Sequence, residues 1–255
     1  TGANGRPRLF VAGAPPGAPL PPERLLAALE RALHRRLVDR LAEPPEKWLA
    51  PGKTPVATAN AKCLAPLAAL HAAAVEHRGR AILLPAASGR GKTTLAAALT
   101  AAGCGYLGDE LTFLATAEGG GVDAVPFPKA LSLKPGSVPL FAHLEPQPDG
   151  GGDAHLDPER LRPGCAVTAP LPVGGVLVPR YRDGAPFRLA PLSAGETLLA
   201  LVESAADLPQ RRHDAKLAVF ERLADLAERV PGHRLEHGDA FAAARKLLED
   251  DPWPA

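Results

Sequence analysis

At 255 residues the chain is long enough for one large domain or two modest ones, and 46% hydrophobic residues can fill a sizeable core. Its 29 Lys and Arg are balanced by 28 Asp and Glu, interspersed along the chain, so there is no electrostatic footprint for nucleic acid or an anionic membrane. Cys63, Cys104 and Cys165 lie far apart without metal-ligand spacing; with no apolar run of membrane-spanning length and no signal-peptide pattern, the expectation is a cytoplasmic protein.

Arg8–Ala12 reads as a short strand, followed by a Pro/Gly-rich linker over residues 13–22. Leu25, Leu26, Leu29, Leu33, Leu37 and Leu41 recur at helical spacing, which predicts a helix over Glu23–Leu41 with Arg and Glu on its opposite face. Residues 44–55 form a breaker-rich loop carrying Trp48. A second helix is expected from Cys63 to about His77, with Leu64, Leu67, Leu70 and Val75 as its apolar side. Ala81–Pro85 reads as a short buried strand of the parallel-sheet kind.

Thr93–Ala102 is helical and stops at Gly103. Tyr106–Leu107 and Leu111–Ala115 are strand-like, with Gly108, Asp109 and Glu110 between them. Val122–Phe127 and Ala130–Leu133 read as further strands, which Pro126 and Pro128 confine to edges or ends. Gln147–Asp153 is a flexible turn, and Val173–Val178 another apolar strand. Ser193 and Glu196 open a helix as a capping box. Two more helices are expected, from about Gln210 to Arg229 and from about Asp239 to Glu249. His213, His233 and His237 lack metal-ligand spacing and read as surface residues.

The segment from Ile82 to Thr94, ILLPAASGRGKTT, is strand, glycine loop and helix. Gly89 and Gly91 let backbone amides approach phosphates closely, and the loop opens onto a helix N-terminus that favours anions. In such a P-loop Lys92 reaches the β- and γ-phosphates and the Thr93 hydroxyl binds magnesium. Ala87, Ser88, Gly89, Arg90, Gly91, Lys92, Thr93 and Thr94 are therefore the candidate nucleotide contacts, with ATP and Mg2+ as the implied ligands. Ala86 stands where the pattern has glycine, which predicts some backbone strain. Asp109 follows Lys92 by only 17 positions. A strand returning along the sheet would bring Asp109 and Glu110 beside the triphosphate, and phosphoryl transfer needs little more than such carboxylates.

His71, the loop from Ala86 to Thr94, Gly103 and the run Leu107-Gly-Asp109-Glu110 together resemble the HPr serine kinase/phosphorylase family of PEP-carboxykinase-like P-loop proteins. The resemblance is strongest to the short HPr-kinase-related proteins of bacterial peptide-modification clusters. It is specific over about Leu70–Leu114 and fainter to Tyr181. It implies an α/β fold, a mixed sheet around the P-loop with helices on both faces. It also implies a catalytic domain over residues 63–255, preceded by an accessory, substrate-recognising region over residues 1–62. Asp109 would be the catalytic base, with His71 against it. Glu110, where the family usually has Asp, would join Thr93 on the magnesium, and Lys134 and Arg180 would be candidates to steady the transferred phosphoryl group. The Gly- and Arg-rich C-terminal signature of the full HPr enzymes is missing, so reverse activity and hexameric assembly do not carry over, and homo-oligomerisation stays open. The expected function is an ATP- and Mg-dependent kinase acting on a hydroxyl, foremost a serine of a peptide or small protein. The alternatives are a small-molecule kinase and a nucleotide-binding regulatory module without transfer.

Overall fold

Strands whose residues are all apolar need cover on both faces, and the middle of this chain supplies several. The computed structural model describes residues 65–117, 119–149, 152–206, 208 and 211–253. They begin with β1 (Ala65–Leu70), β2 (Ala72–His77), β3 (Arg80–Pro85), α1 (Lys92–Ala101), β4 (Gly105–Gly108), β5 (Thr112–Thr116), β6 (Val122–Val125) and β7 (Leu131–Leu133). After a 3-10 turn at Val138–Leu144 come β8 (Gln147–Pro148), β9 (Ala154–Leu156), α2 (Pro158–Leu161) and the long β10 (Leu171–Tyr181). The chain then forms β11 (Arg188–Leu192), α3 (Ala194–Ser204), α4 (His213–Arg229), β12 (Gly232–His237) and α5 (Ala240–Asp250).

Nine strands make one mixed sheet with the path β1-β5-β6-β10-β3-β2-β4, and β12 and β11 continue from the far part of β10. β10 is its spine. Its first residues pair antiparallel with β6, its middle parallel with β3, and Val176–Tyr181 parallel with β12. Along β3, Ala81 and Leu83 enter one core while Ile82 and Leu84 enter the other, the period-2 alternation of a strand covered on both sides. α3 and α4 cover the first face through Leu201, Val219, Leu223 and Leu226. α1, α5 and Trp253 cover the second through Leu95, Leu99, Ala244 and Leu247. Trp253 lies so close over Gly175 of β10 that a Cβ there would collide with its ring. A separate three-stranded sheet, β7-β9-β8, packs Leu131, Leu133 and Leu156 with Phe141 and Tyr106 in a third core.

The mixed sheet with helices on both faces is the expected fold class. The expected helix over Cys63–His77 is wrong where it can be compared: β1 and β2 occupy that span, separated by a bend at His71. The reason lies in Ala72–Val75, where all four side chains are buried and alternate between the two cores. Alanine at nearly every position gives neither a helical nor a strand period, so tertiary burial decides. Gln147–Asp153 holds β8, and the Asp149 amide donates to the Asp153 carbonyl at 3.0 Å. β11 and β12 were not anticipated. The strand expected over Arg8–Ala12, the helix over Glu23–Leu41 and the accessory region of residues 1–62 lie outside the described residues.

Candidate functional site

β3 delivers the chain to the glycine loop, and α1 carries it away. Gly89 and Gly91 have φ of 78° and 90°, the left-handed region where a side chain is strained, so glycine is required at both. Ala86 is not among the positive-φ residues, so its methyl group costs no left-handed strain, contrary to expectation. The amides of Ser88, Gly89, Gly91, Lys92, Thr93 and Thr94 find no acceptor among the described residues. They form a set of free donors at the mouth of α1, the arrangement an anion seeks. Lys92 folds back over the loop, its Nζ donating to the carbonyls of Ala86 at 2.6 Å and Ala87 at 3.3 Å. Burial holds its ammonium below the ordinary lysine value, opposed by the charges of Asp109 and Glu110. A lysine with only carbonyl partners is poised to exchange them for phosphate oxygens.

The two acids differ sharply. β4 ends beside the loop, and Asp109 is fully buried there. Its Oδ1 accepts from the Thr93 hydroxyl at 3.0 Å, and its Oδ2 from the Ser132 amide at 3.5 Å. Burial, and then the Glu110 charge, hold the Asp109 carboxyl above its usual range; Lys129 and the two hydrogen bonds oppose that shift. Glu110 has φ of 67°, a left-handed conformation unusual for a residue with a side chain. It is exposed and pairs with Lys129 at 2.6 Å. Thr94 is tied by its hydroxyl to the Ser137 hydroxyl at 2.7 Å, which anchors the turn after β7 to the start of α1.

Two cavities flank the loop. The larger, about 700 Å³, is lined by Ser88, Gly89, Gly91, Lys92, Thr93, Thr94, Glu110 and Lys134 on one side, and by Tyr181, His237, Phe241 and Arg245 on the other. The smaller, about 480 Å³, takes Ala87, Arg90 and Arg180 together with Glu203 and Arg234. His71 lines both. The residues expected at the nucleotide are thus divided, and Arg180 stands in the cavity away from Lys92 and Thr93. Asp109 lines neither cavity and reaches the larger one through Thr93 and Ser132, which both line it. The His71 amide donates to the Ser204 carbonyl at 2.6 Å. His237, expected at the surface, is 1% exposed. The pattern His237-Gly-Asp239 at a strand end, with Asp239 capping α5, is the signal that was missed.

Among the described residues no group of three or more His, Cys, Asp or Glu is placed to hold a metal ion. Magnesium, which dehydrates reluctantly and takes one or two carboxylates plus phosphate oxygens, does not need such a group. The Thr93 hydroxyl, with Asp109 behind it and Glu110 at the rim, is a donor set of that kind. No helix among the described residues is long and apolar enough to cross a membrane.

No family model matches the chain, and no curated protein does. Among solved structures it is similar to the HPr(Ser) kinase/phosphatase from Coxiella burnetii. That similarity spans 72% of this chain and 95% of that one, at 13% identity and a TM-score of 0.39. A likeness that remote carries nothing about function. The chemistry rests on the loop and the acids beside it.

Proposed function

We propose that this chain is an ATP- and magnesium-dependent kinase that transfers the γ-phosphoryl group to a hydroxyl, a serine of a peptide or small protein in the first instance. One observation carries the reading: the free amides of a glycine loop, Lys92 and the Thr93–Asp109 hydrogen bond meet at a single cavity. Each part has a task in phosphoryl transfer, which is mainly positioning and charge stabilisation. The loop amides and Lys92 hold the β- and γ-phosphates. Thr93, held by Asp109, and Asp109 behind it serve the metal side; bound magnesium supplies charge neutralisation on the transferred group.

The geometry favours an exchange of the roles expected for the two acids. A general base has to come within hydrogen-bond reach of the acceptor, and Asp109 is closed off by Thr93. Glu110 lines the cavity and is the better candidate to receive the acceptor's proton once Lys129 yields it. The strained backbone at Glu110 fits a residue held in place for function.

A single-turnover assay with labelled ATP tests the proposal, offering serine peptides, small proteins and free serine as acceptors. Label on a peptide or protein hydroxyl is the expected result. Label on free serine alone would shift the reading to a small-molecule kinase. A second reading, a nucleotide-binding regulatory module without transfer, is favoured by the Lys129–Glu110 ion pair, which occupies one of the two acids, Glu110 and Asp239, that line the cavity. ATP binding without label on any acceptor is its signature.

A further inference from the structure

β3, β10 and β12 run parallel, and their carboxyl ends stand side by side. In open α/β sheets ligands bind across such ends. The first end carries the glycine loop, the second Tyr181, and the third His237. Tyr181 and His237 are register partners, and their rings meet edge-on at a centroid distance of 5.9 Å. Both reach the last glycine of the loop: a Cβ on Gly91 would stand 3.0 Å from Tyr181 Cβ and 3.9 Å from His237 Nε2. The Tyr181 amide donates to the Arg90 carbonyl at 3.1 Å, so the end of β10 is fastened to the loop itself.

The two side chains differ in a telling way. Tyr181 is 44% exposed, which leaves part of a large aromatic ring open beside the loop. His237 is buried, lines the same cavity, and has no hydrogen-bond partner for either ring nitrogen among the described residues. Burial pushes its pKa down against the opposing influence of Asp239, so the ring is neutral and offers one donor and one acceptor. The Asp239 backbone lies near enough to the ring to oppose that shift without reaching hydrogen-bond geometry, and the Asp239 carboxylate caps α5 through the amides of Phe241 and Ala242 at 2.8 and 3.0 Å. An unsatisfied buried polar ring is a cost that a bound partner removes.

We propose that Tyr181 and His237 form the nucleoside end of the cavity, where Tyr181 stacks on the base and a His237 nitrogen hydrogen-bonds the ribose or base edge. This rests on the reading of the glycine loop as a triphosphate site. The loop fixes the phosphates at one end, and about 700 Å³ leaves room for the nucleoside to extend across the strand ends toward Tyr181. Stacking on an aromatic ring selects for a base over bare phosphate.

The test compares two ligands in the full chain, Mg-ATP and inorganic tripolyphosphate, by titration calorimetry. Tyr181→Ala and His237→Phe are the variants; Tyr181 is half-exposed and Phe keeps a ring at the buried position. Each is expected to weaken ATP roughly five- to hundredfold while leaving tripolyphosphate unchanged. His237→Phe should also raise the melting temperature of the ligand-free protein, because it deletes unsatisfied polar atoms from a buried site. Equal loss for both ligands, or no loss for ATP, overturns the nucleoside assignment while the phosphate site stands. Wild-type protein that binds neither ligand overturns both.

Discussion

Lys92 and Asp109 are the residues on which the site stands or falls. Lys92→Ala removes the cation that the loop holds for phosphate. It should reduce ATP affinity below detection by calorimetry and stop transfer, with an unchanged circular dichroism spectrum. Unaltered ATP affinity in the folded variant would remove the basis for a P-loop. Asp109 makes a prediction about pH. Burial and the Glu110 charge raise its folded pKa above the unfolded value, so the protonated carboxyl favours the fold. That contribution is complete below the unfolded carboxylate range and is lost as pH rises through the raised folded pKa. Asp109→Asn keeps the shape without the ionisation. In ligand-free protein its melting temperature should match wild type in acid and exceed it increasingly toward neutral pH. A difference that does not vary with pH would mean that Asp109 ionises freely in the fold. For catalysis, Glu110→Gln should keep ATP binding and lower single-turnover transfer by roughly two to four orders of magnitude, as loss of a general base does. Near-normal turnover would return the base role to Asp109.

At the scale of elements, how well each was legible depended on whether its signal was local. The loop was legible because Ser88-Gly-Arg-Gly-Lys-Thr93 sits between an apolar strand and a helix, and local chemistry dictates each part. The capping box at Ser193 and Glu196 was legible for the same reason, and both of its hydrogen bonds are present. β1 and β2 were not, because an Ala-rich run carries no period and only burial against both cores makes it strand. β12 was missed since Gly232-His-Arg-Leu-Glu-His237 is mostly polar; its pairing with β10 and β11 makes the strand. The division of the basic residues between two cavities was equally invisible, because it depends on which side of the loop the end of β10 presents. Two elements invite a stability test. Leu84 of β3 is wholly buried, and Leu84→Ala should cost about 2–5 kcal/mol in urea unfolding. Asp239 caps α5 through two amides, and Asp239→Ala should cost about 0.5–2 kcal/mol. A Leu84→Ala effect below that of the cap would contradict burial of β3 on both faces.

For the molecule as a whole, contacts divide the chain into Thr1–Thr58 and Ala59–Ala255, and every residue of the site lies in the second unit. A chain beginning at Ala59 should bind ATP as the full protein does. If residues 1–58 recognise the acceptor, the shortened chain should lose phosphorylation of a peptide while keeping that affinity. Full-rate phosphorylation by it would place acceptor choice within the second unit. The spine strand sets a further condition, one of timing. β3 and its loop are made before their cover: the parallel partner of β3 lies some ninety residues later, and the covering Trp253 later still. As synthesis runs from the N-terminus, a newly made P-loop strand waits beside β2 with its other edge open, a state prone to pairing with the wrong strand. The nascent chain can assemble its phosphate cradle early, but the wall of Tyr181 and His237 closes beside it only when β12 has left the ribosome.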